Sequence, residues 1–236
     1  MSNAYSAGEK LGVVFGRSLA VSTLITCFST YTLNFLFYGG LYAFPQVLPD
    51  FDMGVSPAMS LILGAFMEVP GFVFGVLVGI QLSRKMGIQF YLVCTCLSTL
   101  LFAGAAHYAR SYAGRLPTLI EVALQTGLIG NKVFTSVGFL IVYLYSVEIF
   151  PTLARTTGTA LCLAAGRLGA VTCPLIYENF AEVFGRKVYF FYLMAMMCAL
   201  NLLLVFCLPY ETKGSLLRDH LDDETTPIVT PAVRSV

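Results

Sequence analysis

Long apolar blocks separated by short polar stretches are the main pattern of this 236-residue chain. A helix needs about 20 mostly apolar residues to cross the hydrocarbon core of a bilayer. Six blocks are that long, and the gaps between them contain the proline, glycine and charged residues typical of turns. The pattern predicts an all-α membrane protein with six transmembrane helices. They are predicted over residues 18–44, 59–80, 90–106, 117–145, 157–177 and 188–208.

The six blocks divide the chain into three predicted regions. Residues 1–17 form an N-terminal segment, residues 18–208 the transmembrane domain, and residues 209–236 a tail. The tail contains the acidic run 222–224, followed by Pro227 and Pro231, but few apolar residues, so we expect it to be disordered.

Lysine and arginine positions predict the orientation of the helices. An even number of spans places both termini on one side of the membrane, and loops rich in Lys and Arg tend to be cytoplasmic. The side with the termini has seven such residues against four on the other side, so cytoplasmic termini are predicted, in either the plasma membrane or a vesicle membrane. The seven are Lys10, Arg17, Arg84, Lys85, Arg155, Lys213 and Arg218; the four are Arg110, Arg115, Arg186 and Lys187.

Composition agrees with a lipid environment and excludes several function classes. Apolar residues make up 57% of the chain and charged residues 11%, against about half and about a quarter in soluble domains. A net charge of +1 gives no field that would attract nucleic acid. No phosphate-binding loop, zinc-protease motif or nucleophile elbow occurs, so we predict neither an enzyme nor direct use of ATP.

The seven cysteines all lie inside apolar blocks, where a free thiol packs as a small hydrophobic group. Cys94 and Cys96 are the closest pair in sequence, but two positions apart on a helix they point to different faces. We therefore predict no metal site and no cofactor.

Three ionisable residues lie near the centres of apolar blocks: Glu68 in the second helix, Lys132 in the fourth and Arg167 in the fifth. A charge at the bilayer centre costs about 2.5 to 3.5 kcal/mol, so such a helix should face a cavity or a partner. The third and sixth helices have no central charge and are predicted to face lipid. The fifth helix is rich in glycine and alanine and should be buried against other helices.

The two halves of the domain share a charge pattern. If the six helices are two triplets, Glu68 and Arg167 both fall on the second helix of a triplet. A proline expected to interrupt the helix follows each of them, at Pro70 and Pro174. This pattern favours an inverted repeat of three plus three helices, which is the plan of many secondary transporters.

The polar interior predicts a candidate substrate pathway. It consists of Glu68, Lys132 and Arg167, with Tyr31, Asn34 and Tyr38 supplying polar groups along the first helix. Each also has a purely structural interpretation. Glu68 can be a buried acid satisfied by a neighbour, and Arg167 can pair with Glu68 or with backbone carbonyls as a structural lock. The aromatic residues of the first helix can simply pack.

A second candidate site lies between the fourth and fifth helices. Glu148 ends one helix and Arg155 begins the next, each with the wrong charge for its helix dipole. Two pairings could offset these unfavourable charges: Glu148 and Arg155 pair with each other across Pro151, or they pair with Arg84 or Lys85. Either arrangement predicts a cytoplasmic gate.

Four motifs in order make the chain resemble the second half of a major facilitator superfamily transporter. The closest likeness is to the organic cation/anion transporter group and to synaptic-vesicle transporter-like proteins. The motifs are MEVPG at 67–71, EIFPTLARTTG at 148–158, GRLG at 166–169 and LPYETKG at 208–214.

The resemblance implies a carrier that moves a small organic solute by alternating access. Arg167, and Lys132 in the tenth helix of the family, imply an organic anion. The family's loop after the eighth helix usually begins with aspartate, whereas this chain has RKMGI at 84–88, which removes the acidic partner of its gate.

A half of such a protein needs a second six-helix half or a homodimer, since the family builds its site between two halves. The chain begins about where the linker between the halves would end, and both a fragment and a true half-unit remain open. The alternative function is a non-transporting half-unit or truncated product that regulates a partner transporter.

Overall fold

The computed structural model describes residues 7–17, 19–51, 56–110, 112, 116–209 and 211–214. Within these residues the chain is helical, with seven α-helices, a short 3₁₀ turn at Leu48–Asp50 and no strands. The helices are α1 (Ala7–Val14), α2 (Ala20–Val47), α3 (Pro57–Gln81), α4 (Arg84–Ala109), α5 (Thr118–Glu148), α6 (Arg155–Phe184) and α7 (Tyr189–Phe206).

Helices α2 to α7 are each long and apolar enough to cross a membrane, which confirms the six predicted spans. Their ends follow local chemistry. Ser56 and Ser83 accept hydrogen bonds from backbone N–H groups in the first turns of α3 and α4. Gly185 ends α6 in a left-handed conformation with φ +62°, which glycine adopts without strain. The predicted disorder of the tail is wrong for its first residues, because residues 211–213 form hydrogen bonds with the bundle. Residues 215–236 lie outside the described residues.

Packing follows the predicted three-plus-three plan. The first helix of each triplet lies against the second helix of the other triplet: α2 packs on α6, and α5 packs on α3. The first helices, α2 and α5, meet in the middle, and the third helices, α4 and α7, pack on each other behind them. This exchange of partners confirms half of a transporter-type fold built as an inverted repeat.

Aromatic side chains fill the space between α2, α4 and α7. Phe44 lies 4.8 Å from Phe102 and 5.1 Å from Phe191, and the last two are 4.6 Å apart between ring centroids. All three are at most 1% exposed. Tilted and edge-to-face contacts of this kind add about 0.5 to 1.5 kcal/mol per pair beyond area burial, so they hold α4 and α7 to α2.

Small residues let α2 and α6 approach closely, as the sequence predicted. A Cβ added at Gly169 would collide with the backbone carbonyl oxygen of Tyr31. Across the same contact the Thr30 hydroxyl donates to the carbonyl oxygen of Cys162 at 2.8 Å, and the hydroxyls of Tyr31 and Thr172 are 2.8 Å apart. Close backbones make these interhelical hydrogen bonds possible.

Two expectations about the charged helices need correction. Burial of α6 holds only for its side against α2, because α3 and α6 have the smallest buried share of the six long helices. Pro70 and Pro174 do not interrupt their helices, since α3 and α6 run through them. Both helices therefore have largely uncovered sides, apolar along α3 and interrupted by Arg167 and Glu178 along α6.

Candidate functional site

A buried ion pair joins the two helices α3 and α5. The Lys132 ammonium lies 2.8 Å from a carboxylate oxygen of Glu68. The Lys132 side chain is 5% exposed and that of Glu68 is 22% exposed. Gly64 on α3 makes room for Leu128, one turn before the lysine on α5, because a Cβ there would lie 2.8 Å from the Leu128 side chain. A buried ammonium needs such a partner, since leaving it unpaired is strongly destabilising.

An aromatic ring covers another side of the same ammonium. Lys132 Nζ lies 4.9 Å from the ring centroid of Phe37 on α2. Edge-to-face contacts with Tyr38 and Phe139 hold that ring in place. A cation over an aromatic face gains about 0.5 to 2 kcal/mol, so Phe37 extends the lysine site toward α2. Phe37 was not among the residues predicted from the sequence, because only the packing of α2 against α5 brings its ring to Lys132.

Arg167 lies across the bundle from this pair, on α6. Its guanidinium donates to the Tyr38 hydroxyl at 3.4 Å, and its side chain is exposed. No carboxylate of the described residues forms a salt bridge with it. Of the structural alternatives, the pairing of Arg167 with Glu68 does not occur, because Glu68 binds the neighbouring Lys132 instead.

The two remaining candidates on α2 have different surroundings. Tyr31 packs against α6 through Thr172 and stacks on Phe35, so its contacts are those of an interhelical residue. The Asn34 amide donates to the Tyr143 hydroxyl at 2.9 Å. Its buried carbonyl oxygen accepts no hydrogen bond from the described residues. Asn34 thus has one buried polar atom without a hydrogen bond among the described residues.

Together these side chains give the bundle a polar strip with an excess of positive charge. Lys132 and Arg167 supply two cations and Glu68 supplies one anion, with the Tyr38 hydroxyl beside Arg167. Guanidinium groups suit carboxylates because their N–H donors match both oxygens. The arrangement can bind an anion with little protein rearrangement at Arg167.

A second charged cluster lies where α3 meets α4 and α5 ends. Arg84 binds both carboxylate oxygens of Glu148, with both N–O distances 3.1 Å. The Thr212 hydroxyl donates to the same carboxylate at 2.7 Å. Of the two predicted pairings, the structure contains that of Glu148 with Arg84. Arg155 does not reach Glu148 and donates instead to the Thr152 hydroxyl at 3.3 Å.

Glu211 caps the start of α4, a contact that the sequence analysis did not identify. Its carboxylate accepts from the backbone N–H of Arg84 at 2.7 Å and of Lys85 at 3.1 Å. A carboxylate at a helix N-terminus is favoured by the helix dipole. Partial burial tends to raise the pKa of Glu211, but the backbone donors, including Lys213 N–H, outweigh burial and hold its pKa below the usual value.

Lysines cap the opposite helix ends in the same cluster. Lys85 Nζ donates to the carbonyl oxygens of Phe206 and Leu208, each at 2.9 Å, at the end of α7. Lys213 Nζ donates to the carbonyl oxygen of Ile80 at 2.5 Å, near the end of α3. A cation at a helix C-terminus binds carbonyl oxygens that have no hydrogen-bond partner within the helix. Residues 211–213, which follow α7 in the chain, therefore connect it to α3, α4 and α5.

Cysteine and metal chemistry do not shape this site. All seven cysteines are free thiols. The described residues include no group of three or more His, Cys, Asp or Glu side chains that could hold a metal ion. The site is built only from charged, hydroxyl, amide and aromatic groups.

A six-helix inverted repeat with central charges defines the class of the fold: it is half of a fold of the secondary-transporter type. Sequence comparison agrees. The chain is 26% identical over 168 residues to Organic cation/carnitine transporter 7 of Arabidopsis thaliana, covering 71% of this chain and 31% of that protein. It is 30% identical over 177 residues to Organic cation/carnitine transporter 5 of the same plant, covering 73% and 31%.

The Synaptic vesicle 2-related protein of Rattus norvegicus is 30% identical over 164 residues, covering 68% of this chain and 27% of that protein. No protein-family model matches the chain. With these homologues and this fold, the chain belongs to the major facilitator superfamily and corresponds to the C-terminal half of such a transporter. It spans about a third of the length of the curated relatives it matches.

Proposed function

We propose that this chain is half of a secondary transporter that carries a small organic anion by alternating access. The observation that carries the proposal is the charge of the polar strip. Arg167 has no carboxylate partner among the described residues. Lys132 binds the carboxylate of Glu68, which forms no salt bridge with any other cation of the described residues. A solute with a carboxylate would balance the remaining positive charge.

The relatives agree with organic ion transport in general and differ in the solutes that they are named for. Two are named for organic cations and carnitine, and carnitine itself bears a carboxylate. Arg167 is the feature of this chain that favours an anion, because an exposed guanidinium repels a cationic solute. Glu68 gives the same strip a weaker means of binding a positive group.

The uncovered faces of α3 and α6 support a two-half architecture. Both helices bear a central charge, and their exposed sides are mainly apolar. A second six-helix half, or a second copy of this chain, would cover these faces and enclose the polar strip between the halves. Lipid would then surround the rest of the domain.

The cluster of Arg84, Lys85, Glu148 and Arg155 is the proposed cytoplasmic gate. The excess of lysine and arginine on the side of the termini supports the cytoplasmic assignment. Closed ion pairs there would hold α3, α4 and α5 together, and their opening would let these helices separate. Arg155 would meet an acidic group of the other half, since Glu148 is occupied by Arg84.

Uptake into proteoliposomes tests the proposal. The protein, expressed from its own gene and purified, is reconstituted and offered labelled nicotinate or labelled tetraethylammonium. We expect uptake of nicotinate, a loss of roughly 10-fold or more in Arg167→Ala, since one lost charge pair of about 1.4 kcal/mol gives a factor of ten, and a similar loss in Lys132→Ala. Glu182→Gln, at an exposed acid near the end of α6, is the matched control.

Three results would overturn this assignment. Preference for the cation would contradict the anion site, and unchanged uptake in both variants would remove Arg167 and Lys132 from the pathway. Absence of uptake of either solute would favour the non-transporting half-unit instead. An antibody against residues 222–236 would then measure the native size: a band near the 25.7 kDa of this chain supports that half-unit.

A further inference from the structure

We infer that Cys27 and Cys162 form a reversible oxidation site, at which a hydroperoxide joins the two thiols in a disulfide that fastens α2 to α6. The structural basis is a contact between two free thiols on different helices, whose sulfur atoms are 3.7 Å apart. The inference does not depend on which solute the domain carries.

The backbones of α2 and α6 lie close together at this contact. The Thr30 hydroxyl donates to the carbonyl oxygen of Cys162 at 2.8 Å and lies 2.9 Å from the carbonyl oxygen of Cys27. These two distances from one atom place the two carbonyl oxygens at most 5.7 Å apart. A disulfide needs close backbones, because it joins residues whose Cα atoms are about 4.4 to 6.8 Å apart.

A small movement brings the sulfur atoms within bonding distance. A disulfide bond is about 2.05 Å long, so closing the gap from 3.7 Å requires each sulfur to move by about 0.8 Å. A rotation of roughly 30° about a Cα–Cβ bond moves its sulfur that far, at the modest cost of a departure from the rotamer. Both helices can therefore keep their positions.

A structural metal ion explains the pair less well than a disulfide does. Zinc sites in proteins have three or four protein ligands. The described residues include no group of three or more His, Cys, Asp or Glu side chains that could hold a metal ion. Two thiols are too few for such a site, whereas a disulfide needs only two.

Different access of the two thiols sets the order of their oxidation. Cys27 is partly exposed, whereas Cys162 is completely buried. Hydrogen peroxide is small and uncharged, and it oxidises accessible thiols before buried ones. Cys27 is therefore the thiol that reacts first, and Cys162 is the neighbouring thiol that completes the disulfide.

Atoms and electrons balance over two steps. The Cys27 sulfur attacks one peroxide oxygen and the O–O bond breaks, which gives a sulfenic acid and one water that carries the Cys27 proton. The Cys162 sulfur then attacks the Cys27 sulfur, the S–O bond breaks, and the hydroxyl leaves as water with the Cys162 proton. Two thiols and one peroxide thus give one disulfide and two waters, with two electrons passing from sulfur to oxygen.

The position of the pair favours a reversible link over a permanent one. Cys27 and Cys162 each lie seven positions after the first residue of their helices, Ala20 and Arg155. At 1.5 Å per residue, both are about 10 Å into the bundle from the end proposed as cytoplasmic. The cytosol keeps thiols reduced, and disulfides formed there are usually transient or redox-sensing.

The link would add a second fixed point to the contact between α2 and α6. The first is the close approach of Gly169 to the Tyr31 backbone, seven residues beyond Cys162 on α6. Two fixed points prevent α6 from sliding or turning on α2. A link between residues 135 positions apart also restricts the unfolded chain, so the oxidised protein should unfold at a higher temperature.

The test uses the purified protein, expressed from its own gene, before and after treatment with hydrogen peroxide. After denaturation, two fewer of the seven thiols should react with a maleimide, and peptide mapping should recover a fragment pair linked through Cys27 and Cys162. The unfolding temperature should rise by several degrees. Dithiothreitol should restore the thiols and the original unfolding temperature.

Cys162→Ser and Cys173→Ser distinguish the pair from general oxidation. Cys173 is the matched control, because it is as buried as Cys162 on the same helix but donates to the carbonyl oxygen of Ala170 in that helix. Cys162→Ser should lose the linked fragments and the rise in unfolding temperature, and Cys27 should stay a sulfenic acid that dimedone traps. Cys173→Ser should keep the link and the rise.

The wild-type protein decides the question even if Cys162→Ser does not fold. Oxidation of Cys27 with Cys162 still free, a disulfide between other cysteines, or seven reactive thiols after treatment would each overturn the inference. A linked pair with no rise in unfolding temperature would overturn it too, because the link would then not fasten α2 to α6.

Discussion

Glu148 shows how a single side chain connects several segments of the fold. It receives two hydrogen bonds from Arg84 and one from the Thr212 hydroxyl. The Arg84 and Glu148 side chains are 16% and 20% exposed, so water screens this pair only in part. Bidentate pairing and partial burial make it stronger than an ordinary surface salt bridge.

Removing one partner of this pair should destabilise the domain. For Glu148→Gln we expect a loss of about 1 to 3 kcal/mol, because Arg84 keeps its charge but loses its carboxylate. The measurement is the thermal unfolding of the purified protein in detergent. Exchange of the two residues, Arg84→Glu with Glu148→Arg, should recover part of the loss. Equal stability of Glu148→Gln and Glu182→Gln would contradict this account.

Glu211 gives the same region a dependence on pH. Its pKa is held below the usual carboxyl value, so the ionised form is the one that the folded state stabilises. Its contribution is therefore complete above the ordinary carboxyl pKa of about 4.3 and is lost as the pH falls through the lowered folded-state pKa. Stability therefore falls with falling pH, as expected for an acid whose carboxylate accepts backbone hydrogen bonds.

Comparison of wild type with Glu211→Gln over pH checks this sign. We expect the wild-type protein to unfold at a higher temperature near pH 7, because only the carboxylate caps α4 with full charge. The difference should shrink below about pH 4, where the wild-type acid is also neutral. A difference that is constant from pH 7 to pH 3 would show that the charge of Glu211 does not matter.

At the scale of helices, the contact between α2 and α6 depends on the absence of side chains. Gly166 and Gly169 face α2, where an added Cβ would meet the Asn34 amide in one case and the Tyr31 backbone in the other. Backbone cannot shift as a flexible side chain can. The contact at Gly169 is therefore the less tolerant of the two.

Gly169→Ala should push α6 away from α2 and destabilise the domain by about 1 to 3 kcal/mol, the usual range for overpacking. Gly104→Ala is the matched control, because no atom lies within 4 Å of a Cβ at that position of α4. Alanine at Gly104 should be neutral or slightly stabilising, since it favours helix. Thermal unfolding of both variants measures the difference, and equal stability would contradict the close approach.

The molecule is closely packed on the side of α4 and α7 and exposes the outer sides of α3 and α6. Helix α4 packs on α5, α7 packs on α2, and α4 and α7 pack on each other, while α3 and α6 keep long exposed sides that are mainly apolar. The polar strip lies between these outer helices, so its chemistry depends on what covers them. For this reason the proposed transport of an anion is tested on the protein expressed from its own gene.

Local sequence predicted much of this arrangement. The six spans, the central residues Glu68, Lys132 and Arg167, and the small-residue face of α6 all follow from runs and spacings within single helices. Those signals are local, because hydrophobic length and central charge are properties of one segment. The roles of the site residues remain predictions, and the experiments above address them.

Pairing between helices was decided by tertiary structure alone. Glu68 pairs with Lys132 rather than Arg167, and Glu148 pairs with Arg84 rather than Arg155, each across 64 positions of sequence. Glu211 caps a helix that begins 127 positions earlier. Every one of these residues had several partners of suitable charge in the sequence. The choice among them depends on which helix faces lie within about 3 Å, and only the packed bundle sets those distances.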